Sequence, residues 1–178
     1  MTKKSYWRIW NFINTTLRAW DRKDYLEVGG DGKICRMIKG NTEIIFDPEK
    51  MLPLPEKSAS YVWHVSIEDF LLLWAVENKQ AYAVILLREW DESNLEERVK
   101  RFYEILMDNG ILIVEGFDKS GLRNDAWRIA GGLKKQGFKT GILRETFLCI
   151  YKGEPIEKSI SLKIKKSTYH KNPEKYLP

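Results

Sequence analysis

The stretch Tyr25-Leu-Glu-Val-Gly-Gly-Asp-Gly-Lys33 is where the chain gathers residue types suited to holding a ligand. Its first half reads as a short strand that carries Glu27. The run Gly29-Gly30-Asp31-Gly32 reads as the turn that ends the strand. Glycines at such a place let the backbone come close to a ligand, because no Cβ stands in the way. In an open α/β sheet that ligand lies outside the carboxyl ends of the strands. The same glycines also suit a turn that only joins a strand to a helix.

Two further groups stand at the ends of the next strands. Asp47-Pro48 closes the apolar stretch Thr42 to Phe46, eighteen residues beyond Gly29. A carboxylate there can accept hydrogen bonds from both hydroxyls of a ribose. An aspartate before proline is equally a common turn residue. Ile67-Glu68-Asp69-Phe70 follows a third strand, Ser60 to Val65. An acid in that place can meet the exocyclic amine of an adenine while an apolar ring packs on the base. Glu68 and Asp69 also suit the first turn of a helix, where the dipole favours acids. Acids at three successive strand ends point to a ligand built on a nucleoside. A nicotinamide or flavin ligand fits less well, since a G-x-G-x-x-G reading from Gly30 and Gly32 needs glycine or alanine where Cys35 stands. No Walker loop, G-x-S-x-G elbow or H-E-x-x-H motif occurs. His64 and His170 are far apart, His64 is expected in the core or on a sheet face rather than as a ligand, and no metal site is expected.

These groups need a sheet to carry them, and the patterning supplies one. Ser5 to Trp20 has helical apolar spacing through Tyr6, Ile9, Trp10, Ile13 and Leu17. Asp24 to Val28 is the first strand and Lys33 to Ile38 a short helix. Pro53 and Pro55 forbid a long helix after the second strand. Ile67 to Gln80 reads as a largely buried helix through Phe70, Leu71, Leu73, Trp74 and Val76. Ala81 to Leu87 is an unbroken apolar run, expected to be a central strand covered on both faces. Ser93-Asn-Leu-Glu96 has the capping-box pattern. The helix it opens puts Leu95, Val99, Phe102 and Leu106 on one face and stops at Asn109-Gly110. Ile111 to Val114 is the next buried strand. Leu122, Ala126, Ile129, Ala130 and Leu133 mark another helix, ending near Gly137. Phe138 to Leu143 and Thr146 to Tyr151 are too close for a helix between them and should form a hairpin. Ile160 to Ile164 could add an edge strand. Trp7, Trp10 and Trp20 either cover the pocket or, as the preferred reading, pack on the sheet. The expected fold is α/β: a mostly parallel twisted sheet with a C-terminal antiparallel hairpin and flanking helices.

The chain of 178 residues suffices for one core, with 43% hydrophobic and 31% charged residues. The expected division is a single domain over 1–165, with an N-terminal helix in 1–22 and the core in 24–152, and a loose tail over 166–178. No run is long and apolar enough for a membrane helix. Two cysteines, Cys35 and Cys149, make no disulfide framework. Cytoplasmic residence is the expectation. The net charge of +5 is concentrated beyond Tyr151, where seven lysines face three acids. Such a tail can bind nucleic-acid phosphates or remain a solvated end.

With these motifs in order, the chain resembles the class I S-adenosylmethionine-dependent methyltransferases, in a compact form. Tyr25 to Ile38 and Ile44 to Leu52 look like that family's first two motifs, and Val65 to Phe70 like its third. Tyr82 to Leu87 is similar to its fourth strand. Ile105 to Val114 resembles its passage from helix through glycine into a fifth strand, and the closing hairpin also matches. The family's glycine turn is usually E-x-G-x-G-x-G, and here it is shortened. The resemblance implies that Glu27, Gly29, Gly30, Asp31 and Gly32 border the methionine part of S-adenosyl-L-methionine. It implies Asp47 and Pro48 at the ribose, and Glu68, Asp69 and Phe70 at the adenine. Residues after the fourth strand, Arg88-Glu89-Trp90-Asp91, would face the methyl acceptor. Glu89 is the candidate acid or base there, with a solvated loop charge as the alternative. No Asn-Pro-Pro-Tyr or Asp-Pro-Pro-Tyr motif occurs, so methylation of a base amine is not indicated. The expected activity is methyl transfer to an unidentified nucleic acid, protein or small molecule. The alternative is an inactive relative that binds nucleic acid or a partner.

Overall fold

A computed structural model describes residues 3–19, 21, 24–46, 59–77, 81–88, 90, 93–115, 123–143 and 147–153. Trp20, Asp47, Pro48, Pro53, Pro55, Glu89, Leu122, the segment Ile160 to Ile164 and the tail 166–178 lie outside these residues, as does the division near 165. The side chains of Tyr6, Trp74 and Val76 lie outside the description too.

The elements follow in the order α1 (Lys3–Ala19), β1 (Asp24–Val28), α2 (Lys33–Met37), β2 (Asn41–Ile45), β3 (Tyr61–Trp63), α3 (Ile67–Glu77), β4 (Tyr82–Leu87), α4 (Leu95–Glu104), β5 (Leu106–Val114), α5 (Arg123–Lys135), β6 (Lys139–Leu143) and β7 (Phe147–Tyr151). Together the strands form one seven-stranded sheet in the order β3-β2-β1-β4-β5-β7-β6. The pairs from β3 through β5 are parallel, and β7 runs antiparallel to both β5 and β6. The expected α/β fold with its closing hairpin is the fold observed. The strand order reverses between β1 and β4, which is the topological switch point of the sheet.

Alternation along the strands explains why both faces are covered. Leu26, Val28, Ile85, Leu87, Leu112 and Val114 point to a face packed by α3, α4 and α5. Tyr25, Ile44, Val84, Leu86, Ile111 and Ile113 point to the other face, packed by α1 and α2. Every residue of β4 is buried, as its unbroken apolar run requires. Ile9, Ile13 and Leu17 of α1 enter this second core at helical spacing, and Trp10 packs beside them with its indole N–H on the Met37 carbonyl (2.8 Å). Trp10 therefore packs under the sheet rather than over a pocket.

Several local expectations are corrected. The cap of α4 is Asn94, without a side-chain capping bond, rather than Ser93. A serine cap instead opens α3, where Ser66 Oγ accepts the Asp69 N–H (3.0 Å) and donates to Asp69 Oδ2 (2.8 Å). Helix α4 ends at Glu104, and Leu106 already belongs to β5. The Ile105 carbonyl is drawn into the sheet by the N–H groups of Ala81 and Tyr82. Asn109-Gly110 sits inside β5, where the register with β4 jumps and Asn109 takes a left-handed φ of 63°. Leu73 is 65% exposed and so lies outside the core. His64 follows β3 as an exposed residue, edge-on to Phe46, instead of lying in the core or on a sheet face.

Candidate functional site

The carboxyl ends of β1, β4 and β5 lie level because the ladder continues past each strand. Arg88 N–H donates to the Val28 carbonyl (2.9 Å) and Glu115 N–H to the Leu87 carbonyl (2.9 Å). On the outer side, Gly29 N–H donates to the Ile45 carbonyl (3.0 Å). Gly29, Arg88 and Glu115 therefore form one rim at the switch point.

Glu27 lies two residues before Gly29, with no exposed side-chain surface. Its Oε2 accepts the Cys35 backbone N–H (3.3 Å) and the Tyr25 hydroxyl (3.4 Å). Its Oε1 accepts from Arg88 Nη1 at 2.6 Å. Burial pushes the Glu27 carboxyl up from its usual range, while the Arg88 charge and the hydrogen bonds from Arg88 and Cys35 pull it back. Desolvation, followed by the nearby Glu27 charge, drives the Tyr25 phenol and the Cys35 thiol upward. Both stay protonated across the physiological range and serve as structure around the carboxylate.

The glycine turn curls under this group. Gly29, Gly30 and Gly32 all have positive φ, at 73°, 92° and 66°. At Gly30 the need is also spatial. A Cβ built there would stand 2.8 Å from both Arg88 Cζ and Glu27 Oε1, and closer still to Arg88 Nη1. Asp31 points back across the turn. Its Oδ1 lies 3.1 Å from Arg88 Nη1 and its Oδ2 lies 2.8 Å from Lys33 Nζ. From β5, on the other flank of β4, Glu115 Oε2 lies 2.9 Å from Arg88 Nε. One guanidinium thus links three carboxylates carried by the end of β1, its turn and the end of β5. Trp90 covers the β5 side through its indole N–H on the Glu115 carbonyl (2.6 Å).

The structure brings Glu27, Gly29, Gly30, Asp31 and Gly32 together around this rim. The other described candidates stand at the head of α3. Asp69 is held by the Ser66 hydroxyl, through both its backbone N–H and its carboxylate. Glu68 pairs with Arg98 of α4 at 3.0 Å. Desolvation raises the Glu68 carboxyl, but its own backbone N–H and Arg98 outweigh that and hold it below its usual range. Phe70 is buried, edge-on to Trp63 with ring centres 5.4 Å apart. Asp47, Pro48 and Glu89 lie outside the described residues.

Arg88 and Glu115 are the members of the rim that motif reading did not single out for it. Their signal was present. Each is a charged residue placed directly after an apolar run, Tyr82–Leu87 and Ile111–Val114, and the strands carrying those runs are neighbours. Among the described residues, no group of three or more His, Cys, Asp or Glu side chains is placed to hold a metal ion. No helix among them is long and apolar enough to cross a membrane.

The fold can be compared with solved structures. A methyltransferase from Geobacter sulfurreducens superposes with a TM-score of 0.60 at 10% identity, over 86% of this chain and 80% of its own. An O-methyltransferase from Bacillus cereus, in complex with SAH, superposes with a TM-score of 0.58 at 11% identity, over 85% and 82%. A hypothetical protein of Thermus thermophilus gives 0.59 at 8% identity, over 86% and 87%. No family model matches the chain, and no curated protein matches it. At these identities the likeness shows the fold, a Rossmann-like α/β sheet with a closing antiparallel hairpin, as in these methyltransferase structures.

Proposed function

We propose that this protein is an S-adenosyl-L-methionine-dependent methyltransferase whose cofactor lies across the carboxyl ends of β1 and β4. The observation that carries the reading is Glu27 buried at the end of β1, followed at once by a turn of positive-φ glycines at the switch point of the sheet. That is where an open α/β sheet binds a ligand, and the missing Cβ atoms admit close approach to the backbone. The fold likeness supports the same reading.

The residues fit the cofactor in most respects. Glu27, Gly29, Gly30, Asp31 and Gly32 would border its methionine part, where carboxylates suit a cationic amino group. Asp47, with Pro48, would hold the ribose hydroxyls, and Glu68, Asp69 and Phe70 stand on the adenine side. The misfit is local: the space directly over Gly30 holds the Arg88 guanidinium.

When bound, the cofactor supplies a methyl carbon on a positively charged sulfur, which is already a good leaving group. The protein's part is then alignment and the exclusion of water. Glu27 is rigidly placed by Cys35 and Tyr25, so the methionine end would be fixed from the strand side. Glu89, next to Arg88, would face the acceptor and take a proton where the acceptor must lose one. The acceptor is a nucleic acid, a protein or a small molecule. The basic segment beyond Tyr151 offers a phosphate-binding arm for the first of these.

A thermal shift tests the reading. Ligand at a hundred times its dissociation constant stabilises by about 2.7 kcal/mol, or about 5–10 °C for a domain of this size. Millimolar S-adenosylmethionine or S-adenosylhomocysteine should raise the melting temperature by that amount, and Asp47→Ala should abolish the shift. An unshifted wild type would contradict the proposal.

A further inference from the structure

The room that Gly30 creates by lacking a side chain is filled from within. The Arg88 guanidinium lies over that glycine, its Nη1 on Glu27 Oε1 (2.6 Å) and Asp31 Oδ1 (3.1 Å), its Nε on Glu115 Oε2 (2.9 Å). A glycine at φ 92° whose Cβ space is taken by a cation of the same chain is not serving the turn alone. The carboxylates on Nη1, Glu27 and Asp31, would face the cationic part of a ligand seated on the turn.

We infer that Arg88 is a tethered internal competitor, which occupies the carboxylate rim in the ligand-free protein and must swing away before a cationic ligand can reach Gly30. The inference rests on the reading of this rim as a cofactor site. Of the partners, Arg88 is the one that can exchange by side-chain rotation. Glu27 is fully buried and held on its second oxygen by Cys35 and Tyr25. Arg88 is anchored to the sheet through its backbone N–H, and its side chain reaches the rim on a long flexible stem. Ligand affinity is then reduced by the fraction of molecules in which Arg88 has left. The reduction is selective. S-adenosylmethionine carries a sulfonium charge as well as an ammonium, and S-adenosylhomocysteine carries the ammonium alone. The displaced guanidinium stays tethered beside the rim, and its positive charge opposes the sulfonium ligand more.

The experiment is titration calorimetry of wild type, Arg88→Met and Glu115→Gln with each ligand, the folded state of each protein being checked by circular dichroism. Arg88→Met should bind S-adenosylmethionine about tenfold or more tighter than wild type, with a smaller gain for S-adenosylhomocysteine. Glu115→Gln loosens one tie of the guanidinium without emptying the rim and should shift both ligands in the same direction by less. It carries the test alone if Arg88→Met does not fold. Binding by wild type with no gain, or a loss, in the variants would overturn the inference and leave the cofactor reading standing. Equal gains for both ligands would overturn the charge competition. Absence of binding by all three proteins would overturn the cofactor reading and the inference with it.

Discussion

Arg88 Nη1 and Glu27 Oε1 lie 2.6 Å apart and join the carboxyl ends of two adjacent parallel strands, β1 and β4, across 61 positions of sequence. Glu27 has no contact with solvent and the Arg88 side chain is 11% exposed. Each therefore depends on its partners for compensation. A charge this deep is costly unless it is paired, and breaking such a pair from one side leaves the other charge stranded.

Arg88→Ala should accordingly destabilise the fold by about 3–5 kcal/mol. Glu27→Gln removes the charge but keeps an acceptor for the Cys35 N–H, and Arg88 keeps Asp31 and Glu115. Its cost should be smaller, about 1–3 kcal/mol. Urea denaturation of both variants checks the order.

The pair also sets a pH dependence. The Glu27 carboxyl is raised in the folded protein, first by burial and against the pull of Arg88. An acid raised on folding favours the folded state most below its unfolded pKa, and that contribution is lost as pH rises through the folded value. Removing Arg88 removes the opposing pull and widens the window. The stability of Arg88→Met should therefore fall more steeply than that of wild type as pH rises above the ordinary carboxylate range. Parallel curves above that range would show that Glu27 does not titrate there.

Gly30→Ala should couple to Arg88. The left-handed φ costs about 1–3 kcal/mol in any background. The clash with the guanidinium exists only while Arg88 is present. A double-mutant cycle in urea should show Gly30→Ala costing less in Arg88→Ala than in wild type.

At the head of α3, Ser66→Ala should cost about 1 kcal/mol through loss of the cap. Asp69 is tied to the same serine, so stability alone does not separate a cap from a ligand contact. If Asp69 also meets the adenine, Asp69→Asn should weaken S-adenosylhomocysteine binding while Ser66→Ala leaves it unchanged. Calorimetry on the two variants distinguishes the roles.

Lys152 closes the other end of the domain. Its Nζ donates to the carbonyls of Tyr103 (3.2 Å), Glu104 (3.3 Å) and Leu106 (2.7 Å), where α4 runs into β5. A cation suits the negative end of a helix. Lys152→Met should cost about 1–3 kcal/mol by thermal or urea denaturation and leave ligand affinity unchanged.

Much of the fold was legible because its signals are local and strong. The all-apolar run of β4, the short β1 and the close spacing of β6 and β7 each left little choice of element. The boundary of α4 was less legible. Leu106 fits the apolar stripe of the helix as well as the start of β5, and the carbonyl of Ile105 and the Lys152 ammonium, both distant in sequence from their partners, decide between them. The capping-box pattern at Ser93 misled for a similar reason, since a working box needs geometry as well as spacing. In the candidate site, Glu27 and the glycine turn could be read from adjacency alone. The tie to Arg88, Asp31 and Glu115 could not, because it depends on strands β4 and β5 being brought level beside β1.

A crystal structure of the wild-type protein grown with S-adenosylhomocysteine tests the account most directly. The ligand's amino-acid end should lie over Gly29 to Gly32 beside Glu27, its ribose at Asp47, with the Arg88 side chain turned away from Gly30. A turn without ligand at saturating concentration, with Arg88 still lying over Gly30, would contradict it.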